Sequence, residues 1–349
     1  MDAEGIERYD RQIRLWGQHG QSKCSTSKIC LINADSLGME VLKGLCLAGI
    51  GSFAILDSHK LAAEDVGCSF LPPSCIGKSR GESVKTILLD MNDEVDGAVY
   101  PLETYLPHSA HRDEDLDTAE RPDLQLNFWK QFTCIIASGF LYTNQIVRLS
   151  KICLSLNIPF ISCRSIGCYG KVRNQLKEHI VAETHPDWRP PNYDPNKPES
   201  LVISTKPIYE EYDLKNKTFL VTGDDSEDEF ITIYVCLNAL DLFFSKYGRV
   251  PGCSYDQVET DVALLKESVR QIVGKLHIQM KSLDQCLYEL CRYGGLELHT
   301  TSAFTGGCVA QEVIKLITNQ YTPVNDCLIY NAMTGTTRSF TLSDIFSQS

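Results

Sequence analysis

The stretch from Lys28 to Asp57, KICLINADSLGMEVLKGLCLAGIGSFAILD, limits the possible folds of this chain more than any other. Lys28 to Asn33 reads as an apolar strand. A turn follows, then a helix-period segment from Leu37 to Leu47 with Val41, Leu42 and Leu45 on one face, the breaker Gly49-Ile50-Gly51, and a second strand from Ser52 to Asp57. This is the frame of a nucleotide-binding βαβ unit, in which a G-x-G-x-x-G turn lets backbone amides at a helix N-terminus take a pyrophosphate. Here the turn reads Asn33-Ala34-Asp35-Ser36-Leu37-Gly38, and only the third glycine is present. Asp57 lies close to the spacing at which an acid would bind ribose hydroxyls. With the glycines gone it can equally be a strand-end or capping acid.

Strand and helix patterns keep alternating. Helices are expected over Lys78–Met91 and Asn144–Leu156, and strands over Ala98–Leu102, Thr133–Ser138, Pro159–Cys163 and Tyr169–Leu176. Alternation of this kind predicts an α/β fold, a doubly wound Rossmann-like sheet. Residues 107–123 read as an acidic surface loop, and residues 186–200, with five prolines, as a loop or linker. The acidic run at 223–229 is a solvated loop by default, or the first turn of the next helix. Helical spacing then returns over Phe230–Lys246, Tyr255–Leu276 and Leu283–Cys291, and in a last helix after Thr301. Its Gly306-Gly307 pair costs helix propensity, about 1 kcal/mol per glycine, which close approach of another backbone would offset. Cys327–Asn331 and Arg338–Leu342 are candidates to extend the sheet. These patterns divide the chain into 1–185, a short 186–229, and 230–349 completing the same fold.

At the start, Ile6, Tyr9, Ile13 and Trp16 form a helical stripe that Gly17 and Gly20 should end. Arg8, Arg11 and Arg14 lie largely off it, as on a solvated basic face. A net charge of −12 argues against nucleic acid. No apolar run reaches bilayer length and the N-terminus lacks an apolar signal core, so no membrane partner and a cytoplasmic and nuclear location are expected. The fifteen cysteines include no C-x-x-C. Neither a zinc clip nor a redox pair is signalled, and the pairs Cys163/Cys168 and Cys286/Cys291 read as small buried hydrophobes.

RYDRQIRLWGQHGQ at 8–21, LAGIGSFAILD at 47–57, IGKSR at 76–80, GRVPG at 248–252 and HTTSAFTGGCVAQEVIK at 299–315 together resemble the ubiquitin-like-protein activating enzymes. Within that family, CLINADSLGMEVLKGL, CRYGGLELHTTSAFTGG and IYNAMTG resemble the regulatory subunit of the neddylation type, with the SUMO type as the rival. The resemblance implies a heterodimer. A catalytic subunit, holding ATP and Mg, adenylates a ubiquitin-like modifier and takes it as a thioester, while the regulatory subunit is a degenerate copy of the fold.

At each expected catalytic position the chain departs from the family. Asn33 and Asp35 replace glycines, Cys68 stands where an arginine is expected, and Ser138-Gly139-Phe140 lacks the magnesium-binding aspartate. Arg80 replaces a lysine, and Cys163-Arg164 does not fit a nucleophile. The resemblance therefore implies a degenerate site at Asn33, Asp35, Gly38, Asp57, Cys68 and Ser138, with no cofactor and no metal of its own. It implies that Arg11, in the motif Tyr9-Asp10-Arg11-Gln12, acts in trans on the partner's ATP site. The neddylation-type subunit carries a helical insertion that shrinks here to about 186–229, leaving a length like that of the SUMO type. Two other readings stand beside this one: a non-enzymatic scaffold, and a Rossmann oxidoreductase using NAD, against which the missing glycine turn argues.

Overall fold

A computed structural model describes residues 7–108, 122–181, 201–212, 217–219, 225–273, 283–342 and 346–348. Ile6, most of the acidic 107–123 segment and the proline-rich 186–200 segment lie outside the described residues.

The helices are α1 (Asp10–Thr26), α2 (Ser36–Leu47), α3 (Ala63–Gly67), α4 (Arg80–Met91), α5 (Leu102–Tyr105), α6 (Pro122–Lys130), α7 (Thr143–Leu156), α8 (Asp225–Tyr247), α9 (Val258–Val273), α10 (Leu283–Tyr293) and α11 (His299–Thr318). The strands are β1 (Lys28–Ile32), β2 (Ser52–Leu56), β3 (Asp96–Tyr100), β4 (Cys134–Ser138), β5 (Phe160–Ile166), β6 (Tyr169–Gln175), β7 (His179–Val181), β8 (Leu201–Ile203), β9 (Lys217–Phe219), β10 (Cys327–Asn331), β11 (Thr336–Phe340) and β12 (Phe346–Gln348).

Eight strands form one sheet in the order β11-β10-β6-β5-β4-β1-β2-β3. From β3 to β5 the neighbours are parallel; β6, β10 and β11 each add antiparallel. The Rossmann-like expectation is met over the parallel part. Successive residues of β1 serve opposite faces: Ile29 and Leu31 join a core with α2 and α11, Cys30 and Ile32 a core with α6 and α7. Burial on both faces makes the strand apolar throughout rather than alternating. Helices α8, α9 and α10 form a third cluster against β5, β6 and β10. Chain order reverses between β1 and β4. The carboxyl ends of the parallel strands therefore open a crevice there, where such sheets bind ligands.

Three expectations are corrected and one left open is decided. Gly17 does bend α1 (φ 72°), but the helix resumes and runs to Thr26. Gln21 anchors the second half, accepting from Trp16 Nε1 at 2.9 Å and donating to the Ala48 carbonyl at 2.9 Å. Of the two readings of the acidic run, the helix start holds: α8 begins at Asp225, as acids favour a helix N-terminus. Within α8, Glu229–Tyr247 is long and apolar enough to cross a membrane, with mean hydropathy 1.2. Tyr234, Val235, Cys236, Leu237 and Phe243 are buried in the third core, which accounts for the apolar character around the whole helix. Strand β11 is Thr336–Phe340, two residues earlier than its hydrophobicity suggests, because pairing with β10 (Asn331↔Thr336, Cys327↔Phe340) sets its register.

Helices α2 and α11 lie against one another. A Cβ at Gly306 would meet Glu40 Cβ at 2.7 Å and the Val41 nitrogen at 3.2 Å. The backbone approach expected of the glycine pair is therefore made by Gly306 alone; Gly307 faces open space. On that outer side a groove of about 520 Å³ is lined by Phe304, Gly307, Cys308, Lys315 and Leu328, among others.

Candidate functional site

The turn after β1 lies at the crevice. Asn33 adopts the left-handed conformation (φ 64°) that a glycine would otherwise supply, and asparagine tolerates it better than most residues. Its Nδ2 donates to the carbonyls of Ser138 (3.0 Å) and Phe140 (3.2 Å), tying the end of β1 to the end of β4. Its Oδ1 is buried without a hydrogen-bond partner. Gly38 is required sterically: a Cβ there would sit 2.5 Å from the Asn33 carbonyl oxygen.

Asp35 is the N-cap of α2. Its Oδ1 accepts from the Gly38 amide at 2.9 Å and from Ser138 Oγ at 2.5 Å. Glu297, from the segment ahead of α11, reaches the same helix end. Its Oε2 accepts from the Ser36 amide at 2.7 Å and its Oε1 from the Leu37 amide at 3.0 Å. Asp57 Oδ2 accepts from the Ala34 amide at 2.9 Å. The amides of Ala34, Ser36, Leu37 and Gly38 are thus all taken by carboxylates of this chain. They are the donors that a phosphate would use.

The charges in the crevice are also spent internally. Arg80 is buried, its Nε 2.7 Å from Asp57 Oδ2 and its Nη1 3.7 Å from Asp65. His59 adds its backbone amide (2.8 Å) and Nδ1 (3.0 Å) to Asp57 Oδ1. Burial alone would raise Asp57, but the His59 hydrogen bonds and the Arg80 charge outweigh it and pull the carboxyl down to about 2. Asp35 and Glu297 go the other way. Burial raises Asp35 despite the Arg80 charge, and burial together with the Asp35 charge holds Glu297 well above the ordinary range.

The remaining positions fit the same pattern. Cys68 follows α3; its carbonyl accepts from Ser36 Oγ, and burial pushes its thiol up to about 11. Cys163 is buried with a raised thiol pKa, the opposite of an activated nucleophile. Arg164 is held by Asp241 (2.5 Å) and the Gly139 carbonyl (2.8 Å) and lies over the Phe140 ring. Among the described residues no group of three or more His, Cys, Asp or Glu has the arrangement of a metal site. A nucleoside triphosphate with its metal does not fit this donor set, because two carboxylates already sit on the helix N-terminus.

Asn33, Asp35, Gly38, Asp57 and Ser138 therefore converge on one crevice, with Cys68 at its edge. Arg11 stands apart on the exposed face of α1. Its neighbours differ from it. Arg8 pairs with Asp93 (3.4 Å) and Glu94 (3.6 Å), and Arg14 pairs with Asp10 (2.9 Å). Among the described residues Arg11 has no ion pair or hydrogen bond. Three contributors to the crevice, His59, Asp65 and Glu297, are missed by motif reading. Only Glu297 left a trace: a lone acid between Leu296 and Leu298 just ahead of a helix.

A largely parallel Rossmann-like sheet, with its crevice at the β1/β4 reversal and the chain's own carboxylates on the helix N-terminus there, defines an adenylation-type fold. The ThiF family model matches residues 9–348, and the chain belongs to the ThiF family. The NEDD8-activating enzyme E1 regulatory subunit of Drosophila melanogaster is 26% identical, the match covering 97% of this chain and 98% of that protein. That alignment runs over 530 residues against the 349 here, so the relative holds a large segment without counterpart in this chain. The NEDD8-activating enzyme E1 regulatory subunit AXL of Arabidopsis thaliana is 37% identical over 186 residues, 53% of this chain and 33% of that protein. The DNA damage tolerance protein RHC31 of Saccharomyces cerevisiae is 25% identical over 356 residues, 96% of each. The resemblance to regulatory subunits of the neddylation type, drawn from the motifs above, is borne out by these relatives.

Proposed function

We propose that this chain is the regulatory subunit of a heterodimeric activating enzyme for a ubiquitin-like modifier of the NEDD8 type, working in the cytoplasm and nucleus. Its catalytic partner binds Mg-ATP, adenylates the modifier's C-terminus and takes it as a thioester; this chain binds no nucleotide. The observation that carries the reading is the closed crevice. The amides of Ser36, Leu37 and Gly38 are occupied by Glu297 and Asp35, so chemistry here must be done elsewhere.

Arg11 is the residue this chain lends. Negative charge grows on the α-phosphate as the modifier's carboxylate attacks it, and a guanidinium from outside the pocket stabilises that charge. An exposed arginine with no partner among the described residues is available for such a role, whereas Arg8 and Arg14 are engaged. A second reading, the SUMO-type counterpart, keeps the same architecture and is favoured by the compact length.

The test is co-purification with candidate catalytic subunits, then thioester charging of each modifier. Charging of only the SUMO modifier would select the second reading, and no association with any catalytic subunit would overturn both. For Arg11, ATP–pyrophosphate exchange by the assembled enzyme should fall by about 10- to 100-fold in Arg11→Ala and stay unchanged in Arg14→Ala. Equal rates in both variants would remove the trans role while leaving the subunit assignment intact.

A further inference from the structure

We propose that Tyr9 is the positioning residue for Arg11: its buried ring and bonded hydroxyl lock the first turn of α1, so that the guanidinium is presented outward to the partner. The inference deepens the trans role proposed for Arg11 and rests on it.

The start of α1 has one anchor. Tyr9 is 4% exposed, and between it and Trp16 no residue of the helix is buried. The ring seats on Gly49, where a Cβ would come within 2.6 Å of it. The hydroxyl is fixed twice, accepting from Asn92 Nδ2 at 2.9 Å and donating to Glu94 Oε2 at 3.2 Å. Asn92 is itself buried and held at both ends of its amide. Its Nδ2 also donates to the Cys46 carbonyl at 2.7 Å, and its Oδ1 accepts from Arg8 Nη1 at 3.0 Å and from the Glu94 amide at 3.2 Å. A side chain that only filled the core would not need a hydroxyl, which is costly to bury unless bonded. A bonded network of this kind admits one orientation of the ring.

Helical geometry carries that orientation to Arg11. The Tyr9 carbonyl accepts from the Ile13 amide at 2.8 Å, so Tyr9 is already in phase with α1. Two positions further on lies about 200° around the helix. Fixing Tyr9 inward therefore turns Arg11 to the solvent side, where it is exposed. Gln12 Nε2 steadies the same turn on the Leu47 carbonyl at 3.3 Å, and the Trp16 carbonyl accepts from Gln320 Nε2 at 2.8 Å beyond it. The acids at this end are engaged by other arginines, Asp10 by Arg14 and Asp93 and Glu94 by Arg8. A long side chain acting across an interface needs a fixed backbone behind it, since a misplacement of about 1 Å can cost about a hundredfold in rate.

The test is kinetic and uses the enzyme assembled with its catalytic subunit. Tyr9→Phe keeps the ring and removes only the hydroxyl, and Asn92 retains its bond to the Cys46 carbonyl, so the fold is kept. In this variant kcat for ATP–pyrophosphate exchange should fall by about 3- to 10-fold with KM for ATP and for the modifier unchanged, because Arg11 acts on charge that grows in the transition state. Added to Arg11→Ala, Tyr9→Phe should cause no further loss, as expected of a residue acting only through Arg11. An unchanged kcat, a change confined to KM, or the same proportional loss with and without Arg11→Ala would overturn the proposal while leaving the role of Arg11 intact. If Arg11→Ala itself loses nothing, the trans role fails and this inference fails with it.

Discussion

Two of the buried charge clusters among the described residues behave oppositely. Around Arg173, on β6, two cations face two anions: Arg173 meets Glu211 and Asp326 (3.2 Å), and Lys171 meets Glu211 at 3.5 Å. Burial would raise Glu211, but Lys171 and Arg173 outweigh it and hold the carboxyl below its ordinary value. At the β1/β4 crevice three carboxylates, Asp35, Asp57 and Glu297, gather near a single buried arginine, Arg80, which sits on Asp57 and also faces Asp65. Only Asp57 is lowered there; Asp35 and Glu297 are raised. The balanced cluster ties the 201–212 segment to the sheet through Glu211 and the Lys206 carbonyl. In the crevice, by contrast, three carboxylates gather on the amides that open α2 with one buried arginine among them.

Breaking the balanced cluster should cost most. Arg173→Met leaves Asp326 buried without its cation and Glu211 with Lys171 alone, and about 3–5 kcal/mol of stability should be lost in urea unfolding. Adding Glu211→Gln to that variant should recover part of the loss. A double variant no better than the single would show that the cluster does not act as a pair. Next comes Asp57→Asn, expected to cost about 2 kcal/mol at neutral pH. A carboxyl lowered to about 2 contributes stability that is present above the unfolded value and lost as pH falls from about 4 towards 2. Urea titrations across that range should give a flatter acid flank in the variant; an unchanged flank would show that Asp57 is not the group responsible.

Asp35→Asn should do far less, within about 1 kcal/mol, because asparagine caps a helix as well as aspartate does. Here the sign reverses. A raised folded-state pKa gives stability that is full below the unfolded value and declines as pH rises above it. The variant should therefore gain relative to the wild type towards neutral pH, and a loss growing with pH would contradict the crowding of Asp35 by Glu297 and Asp57. The smallest effect is expected from Arg11→Ala, within about 0.5 kcal/mol in thermal unfolding, since nothing in the described chain holds that side chain.

How much of this could be read from the chain differs by element. Strands β1, β2 and β4 were legible because burial on both faces makes them continuously apolar. The three-residue strands β7, β8, β9 and β12 were not, since pairs this short leave no pattern. In the crevice, Asn33, Asp35 and Ser138 stood out as departures at positions where a nucleotide site needs other residues. Glu297 did not, because its meaning depends on contact with Ser36 and Leu37, from which most of the chain separates it. The contrast between Arg11 and its neighbours was likewise hidden, as Arg8 finds its acids in the loop after α4.

The bare-backbone contact at Gly306 also bears on the order in which the protein can be made. Helix α2 is among the first elements to leave the ribosome, and α11, whose Gly306 rests on its Glu40 and Val41, is the last helix. Until α11 is synthesised, Val41 and Leu45 have no cover on that side, and the first βαβ unit must wait, solvated or chaperoned, for a contact that closes a loop of about three quarters of the chain. A fragment ending before His299 should accordingly be degraded by limited proteolysis throughout its first half, while the complete chain resists.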